Sequence, residues 1–371
     1  RPEREADGGR GEEAQQPLLP PAQLPHAALT VASVARLVVP YTEPARGYSM
    51  KAIRVDGFGS PEVLRLAEVP DPSPAAGQVV VRVEFAGVNF IDVYHRTGLY
   101  PNPLPFVPGM EGAGVVAERG TGVATLREGD RVAWTGILGS YAERIVLPAD
   151  RAVLVPSGVA TGTAAAVMLQ GLTAHYLSTS TFPLRKGHVC LVHAAAGGVG
   201  LLLVQMAKKC GARVIGTVGT EAKAALARGA GADEVVLYTH EDFLEAVKRL
   251  TGGRGVDVVY DSVGKATAEK SLDCLVPRGM MVFFGNASGP VPPIDPLTLS
   301  RKGSLFLTRP LLVHHIADRE SLEARAADVL GDVAAGRLSV RIDRTLPLAE
   351  AAEAHRALEG RLTAGKVLLA P

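Results

Sequence analysis

Cysteine is nearly absent from this 371-residue sequence. Its three copies, Cys190, Cys210 and Cys274, are odd in number and widely spaced, with no C-x-x-C pair and no His at a zinc-ligand interval. That excludes a disulfide framework and a cysteine-rich zinc site. Each thiol is expected to pack as a small apolar group, a usage that fits a reducing compartment. Aromatic residues make up only 5% of the chain, with Trp134 the single tryptophan, so the core must be built from Val, Leu and Ala. Charge of one sign is lacking as well: 39 Lys and Arg against 38 Asp and Glu leave +1, and nothing in that balance points to a nucleic-acid or anionic-membrane partner. No apolar run reaches the roughly 18–20 residues of a membrane span. Nucleophile-elbow, Walker and metal-ligand motifs are missing, and no segment repeats at a fixed period.

Glycine and proline are plentiful, at 41 and 26 residues, and they punctuate many short elements. The length predicts two or three domains. Residues 1–49, with Arg, Glu, Gly, Pro and Gln crowded before Pro25, read as a disordered extension. Its one apolar stretch, residues 27–39, has the length of a signal-peptide core but is interrupted by Arg36. The acids Glu3, Glu5, Asp7, Glu12 and Glu13 suit neither a basic leader nor an acid-poor transit peptide. A cytoplasmic location is expected, with organellar targeting by residues 1–49 left open.

From Met50 the sequence turns to short strands bounded by Gly and Pro: MKAIRVDGF, PEVLRLAEVP, QVVVRVEFAGVNF, GAGVVAERG, GDRVAW and SYAERIVLPADRAVLVP. Helical spacing takes over near Thr163. Beyond Gly187 strands and helices alternate, which predicts right-handed βαβ units in a parallel sheet. Two more helices, near 321–335 and 349–358, precede a terminal strand, KVLLA.

The most informative local pattern is His193-Ala-Ala-Ala-Gly197-Gly198-Val199-Gly200, between a buried-looking strand and the helix LLLVQMAKK. Glycines there let backbone N–H groups approach a pyrophosphate, whose charge lies at the positive end of the helix. A ribose-binding acid is expected at the end of the next strand when NAD is the ligand. That corner reads Gly216-Thr217-Val218-Gly219-Thr220, without an acid, and Lys223 follows one turn on, so NADPH is favoured over NADH.

Taken together, AGVNFIDVYHRTGLYP, PGMEGAGVV, LQGLTAHYL, HAAAGGVG, GTVGT, VVYDSVG, FGNASG, KGSLFLTRP and AGKVLL make residues 50–371, about 320 residues, resemble the zinc-independent, zeta-crystallin-like NADPH:quinone oxidoreductases of the medium-chain dehydrogenase/reductase superfamily. The resemblance implies an α/β protein in which a Rossmann nucleotide-binding domain with a parallel doubly wound sheet is inserted in a chaperonin-10-like β-barrel catalytic domain. The catalytic part covers residues 50–173 plus 311–371 and the NADPH-binding part residues 174–310. It also implies a homodimer through the Rossmann domains, with SLFLT as the pairing edge strand. Metal-dependent alcohol dehydrogenases of the same superfamily place a Cys at Asn89 and a His at Met110; neither replacement can bind catalytic zinc, and no metal site is expected. Glu111 then reads as a hydrogen-bonding support.

Carried over by position, Asn89 and Tyr94 lie at the nicotinamide end of the cleft and Tyr100 near the substrate. The resemblance assigns Gly197, Gly198, Val199 and Gly200 to the pyrophosphate, Gly219 and Lys223 to the 2′-phosphate, Tyr238 to the adenosine end, Phe284 and Asn286 to the nicotinamide side, and Arg361 to a cofactor contact from the C-terminal segment. Gln170 stands where some relatives carry Lys. His193 reads as structural, His314-His315 as a loop or helix start without a metal partner, Trp134 as a core residue, and Glu241-Asp242 as helix N-terminal charges. The expected function is metal-free reduction of a quinone by NADPH. Two alternatives remain: an NADPH-dependent 2-alkenal or enoyl-thioester reductase with Tyr100 as proton donor, and an NADPH-binding protein with an RNA-binding or structural role, to which the small net charge lends little support.

Overall fold

Alternating apolar residues from Gln78 onward form the long strand around which the first part of the molecule is built. The computed structural model describes residues 49–371; apart from Ser49, the extension expected over residues 1–49 lies outside them. Strands β1 (Ser49–Arg54) and β2 (Arg65–Pro70) form an antiparallel pair. The segment PEVLRLAEVP begins as a 3-10 turn, Pro61–Val63, rather than as strand, because Pro61 has no N–H to give a ladder. A larger sheet is formed by β3 (Gln78–Val88), β4 (Glu111–Arg119), β5 (Arg131–Thr135), β6 (Arg144–Pro148) and β7 (Val153–Leu154). Two register shifts between β3 and β4 bend the long strand. One end of β3 pairs with β6 and the other is free for a later partner.

The chain then leaves this sheet for β8 (Val189–Val192), β9 (Arg213–Val218), β10 (Glu234–Leu237), β11 (Val256–Asp261), β12 (Leu275–Phe283) and β13 (Phe306–Thr308). All pairs are parallel, in the order β10-β9-β8-β11-β12-β13. The winding reverses between β8 and β11, the point where such sheets open a crevice at their C-terminal ends. β8 is buried along its whole length, as expected of a central strand covered by helices on both faces. β13 is the edge, and its Phe306 and Leu307 are exposed.

The chain returns to the first sheet with β14 (Ile342–Pro347) and β15 (Lys366–Ala370), which lies antiparallel to the free end of β3. Helix Thr161–Tyr176 joins the halves: its Ala164, Ala165, Met168 and Leu172 share one core with Ala113 and Ala133 of the first sheet and Cys190 and Val192 of the second. Its small side chains let both sheets approach. The late helices run over Arg319–Ala334 and Ala351–Glu359. The first begins earlier than its apolar spacing suggested, because Asp318 caps it by accepting the Ser321 N–H at 2.7 Å. No helix among the described residues is long and apolar enough to cross a membrane.

Candidate functional site

The glycine-rich turn follows the C-terminal end of β8. Ala194 has a positive φ of 52°, and helix Gly198–Lys209 opens with no side-chain cap and no acid in its first turn, which leaves its N–H groups and dipole to a ligand. Close packing explains the glycines. A Cβ at Gly200 would stand 2.3 Å from the Ala194 carbonyl oxygen, and one at Gly198 would stand 2.0 Å from Gln170 Oε1. Val199 packs half-buried on the central core. The turn is also tied to the returning chain, since the Gly365 N–H donates to the Ala196 carbonyl at 3.1 Å.

Beyond β9, Lys223, Arg361, Gly219 and Tyr238 come together. The Lys223 ammonium donates to the Arg361 carbonyl at 2.6 Å, and the Tyr238 hydroxyl lies 2.6 Å from where a Gly219 Cβ would stand. Burial holds the Lys223 ammonium below its ordinary pKa; Asp343 opposes that, and the Arg361 charge adds to it. Two neighbouring cations with no acid at the strand end suit a dianion such as a 2′-phosphate.

At the nicotinamide side the structure joins three expected residues through the backbone and side-chain amides of Asn286. The Asn286 N–H donates to the Tyr94 hydroxyl at 2.8 Å, and Asn286 Nδ2 donates to the Tyr100 hydroxyl at 3.0 Å. The two phenol rings meet edge to face, with centroids 5.2 Å apart. Tyr94 projects from helix Phe90–Thr97, is buried, and has its phenol pKa pushed up to about 12 by that burial. Phe284, two residues before Asn286, is half-buried on the core at the end of β12. Arg309, which the sequence reading passed over, donates to the Tyr100 hydroxyl at 3.2 Å.

Asn89 sits deeper than expected. Its Nδ2 donates to the Gly87 carbonyl at 3.2 Å and to Glu111 Oε2 at 2.9 Å, while its Oδ1 accepts from Lys366 Nζ at 2.8 Å and Gln170 Nε2 at 3.3 Å. Every hydrogen-bonding position of the amide is filled by protein. Glu111 accepts the Leu169 N–H at 2.6 Å and forms a close ion pair with Lys366, both side chains being out of contact with solvent. Burial depresses the Lys366 pKa and Glu111 resists it. Lys366 was missed because its only sequence signal was a cation at the head of an apolar strand.

A second buried chain supports this cluster. Asp92 accepts the Asn89 N–H at 2.8 Å and the Tyr141 hydroxyl at 3.0 Å; Tyr141 meets His355 Nε2 at 3.2 Å, and Arg96 lies 3.4 Å from His355 Nδ1 and grips Glu359 with two bonds of 2.8 Å. Burial raises the Asp92 carboxyl to about 7, against the lowering effect of the hydrogen bonds from the Asn89 N–H and the Tyr141 hydroxyl. The Arg96 guanidinium fixes the tautomer: His355 Nδ1 accepts and Nε2 carries the proton.

The remaining candidates are structural. His193 is held by Thr217 and Ser271, each at 2.9 Å, His315 stacks on Tyr176, Trp134 is buried with its N–H on Ser140, and Asp242 caps helix Phe243–Leu250.

Comparison with known proteins places these features among relatives. A family model described as an alcohol dehydrogenase GroES-like domain matches residues 75–157, and one described as a zinc-binding dehydrogenase matches residues 198–316. The chain is 47% identical to a quinone oxidoreductase of Pseudomonas aeruginosa, over 86% of this chain and 99% of that protein. It is 44% identical to a 2-haloacrylate reductase of a Burkholderia species, over 84% of this chain and 96% of that protein. The crystal structure of Escherichia coli quinone oxidoreductase complexed with NADPH superposes with a TM-score of 0.85 at 44% identity, covering 86% of this chain and all of that one.

The description of the second family model raises a zinc ion, and the residues present do not fit one. Where a metal would need donors, Glu111 is saturated by the Leu169 N–H, Asn89 and the Lys366 ammonium, and a fixed cation repels a divalent one. Among the described residues no group of three or more His, Cys, Asp or Glu side chains could hold a metal.

Proposed function

Since the chain belongs to the quinone oxidoreductases of the medium-chain dehydrogenase/reductase superfamily, we propose that it reduces a quinone with NADPH, without a metal, in a site between the glycine turn and the paired tyrosines. The observation that carries the reading is Asn286. Its backbone and side chain hold Tyr94 and Tyr100 at the end of β12, on the same side of the parallel sheet as the Gly197–Gly200 turn.

The residues fit NADPH. The helix end without a cap suits the pyrophosphate, Lys223 and Arg361 suit the 2′-phosphate, Tyr238 covers the adenosine end, and Phe284 and Asn286 flank the nicotinamide side. When bound, NADPH supplies a hydride. The protein's part is orientation and charge. A quinone is already a good acceptor, so it needs little beyond hydrogen-bond donors at its oxygen, and the hydroxyls of Tyr94 and Tyr100 provide two. Asn89, with its amide fully engaged, positions rather than touches substrate: through Gln170 it links the Lys366–Glu111 pair to the start of helix Gly198–Lys209.

A second reading rests on Tyr100. An α,β-unsaturated carbonyl compound also needs a proton, and a tyrosine hydroxyl beside the substrate can deliver it. The discriminating assay is steady-state oxidation of NADPH and NADH by chelator-treated protein, with 9,10-phenanthrenequinone and a 2-alkenal as alternative acceptors. Quinone turnover preferring NADPH supports the leading reading; turnover of the alkenal alone replaces it with the second.

The same proposal includes a homodimer and a cytoplasmic site of action. β13 ends the parallel sheet with unpaired backbone groups under exposed Phe306 and Leu307, an edge that a second copy can extend across a two-fold axis. All three cysteines are free thiols, in keeping with a reducing compartment.

A further inference from the structure

The Tyr100 hydroxyl receives two donors. Asn286 Nδ2 approaches it at 3.0 Å and an Arg309 terminal nitrogen at 3.2 Å. A phenol oxygen has two acceptor positions and one O–H, so both acceptor positions are filled and the proton must point elsewhere. Among the described residues no acceptor meets that proton, nor the proton of the neighbouring Tyr94 hydroxyl, whose oxygen already takes the Asn286 N–H. Two O–H protons are therefore left without a protein acceptor on neighbouring phenols, each oxygen backed by a donor.

Arg309 has the charge for this place. Its other hydrogen bond goes to the Pro310 carbonyl at 3.2 Å, so among the described residues its guanidinium bonds a carbonyl and a phenol and no carboxylate. Its positive charge also opposes the rise that burial imposes on the neighbouring Tyr94 phenol. It follows β13 directly, so a rigid strand end carries it to the site.

We propose that Arg309 is a positioning residue for Tyr100: with Asn286 it fills the acceptor side of the hydroxyl, so that the O–H is aimed at the substrate's carbonyl oxygen and the oxygen left behind is stabilised as its proton departs. This rests on the quinone-reductase reading above. The step balances. The electron pair reaches the substrate with the hydride that NADPH supplies, the Tyr100 O–H bond breaks as an O–H bond forms on the substrate oxygen, and water returns a proton to the phenolate held by Arg309 and Asn286.

The test is a double-mutant cycle with Arg309→Gln, Tyr100→Phe and their combination, with Arg309→Lys as the conservative variant, assayed with NADPH and 9,10-phenanthrenequinone. A charge-assisted hydrogen bond lost at the reacting proton is expected to lower kcat about ten- to a hundred-fold in Arg309→Gln, with KM and the Kd for NADPH little changed and partial recovery in Arg309→Lys. In the Tyr100→Phe background the same substitution should change kcat less than about two-fold. A second readout needs no cofactor: the infrared carbonyl band of bound phenanthrenequinone should lie at lower wavenumber in the unmodified protein and Arg309→Lys than in Tyr100→Phe and Arg309→Gln. Equal losses in both backgrounds, or an unchanged kcat in Arg309→Gln, overturn the inference alone. Absence of turnover in the unmodified protein overturns the functional reading and the inference with it.

Discussion

Replacing Lys366 by Met leaves the hydrocarbon stem but removes an ammonium buried against Glu111 Oε2 and 2.8 Å from Asn89 Oδ1. Glu111 then keeps two donors, the Leu169 N–H and Asn89 Nδ2, but no compensating charge. Breaking a buried pair in this way costs about 3–5 kcal/mol, and the two remaining donors place the loss toward the lower end. That is a large share of the ~5–15 kcal/mol by which a folded protein is stable. Glu111→Gln leaves the opposite orphan and is expected to cost a similar amount. Combining the two removes both charges, so the double variant should lose at least about 2 kcal/mol less than the sum of the single losses. Urea unfolding reports this directly through the fluorescence of Trp134, which is buried in the same sheet with its N–H on Ser140. Single variants within about 0.5 kcal/mol of the unmodified protein, or losses that simply add, would refute a buried pair in which each charge compensates the other.

The other expectations concern pH, cofactor choice and assembly. Because burial raises the Asp92 carboxyl from 3.8 to about 7, the folded protein binds that proton more tightly than the unfolded chain, and the stability it contributes at low pH is lost as pH rises from about 4 to about 7. At about 1.4 kcal/mol per pH unit the loss is at most about 4 kcal/mol. Asp92→Asn should remove it, so the stability difference between variant and unmodified protein must change between pH 4 and pH 8; a constant difference refutes the burial argument. Lys223→Gln should weaken NADPH binding about ten-fold and leave NADH nearly unaffected, as read by nicotinamide fluorescence. Equal losses for both cofactors would place the 2′-phosphate elsewhere. Leu307→Asp on the exposed edge should convert a dimer to a monomer in light scattering, and an unchanged mass would remove β13 from the interface.

Much of the fold was legible because its signals are local. Strands such as VCLV are continuous apolar runs, the helices between them follow glycine turns, and the turn at 193–200 has glycines where the backbone itself crowds Ala194 and Gln170. Tyr94, Tyr100 and Asn286 were found through resemblance, and the structure brings them together. What escaped were partners separated by long stretches of chain. Arg309 reaches Tyr100 across 209 positions and Lys366 reaches Glu111 across 255, and neither contact leaves a periodic trace. Asn89 was expected beside the nicotinamide, but only the fold reveals that Gly87, Glu111, Gln170 and Lys366 already use every polar atom of its amide. Helix starts were misjudged where a cap, Asp318, precedes the first apolar residue.

In the proposed reaction, reducing equivalents pass from NADPH to a quinone with the help of groups of this chain alone. The most direct measurement is anaerobic stopped-flow at 340 nm, in which protein stripped by exhaustive chelation and loaded with NADPH is mixed with 9,10-phenanthrenequinone. The NADPH absorbance is expected to be lost at a rate that rises with quinone concentration and is unchanged by the chelator. Persistence of the absorbance in protein that binds NADPH tightly, or recovery of the rate only when a divalent metal is added back, would contradict it.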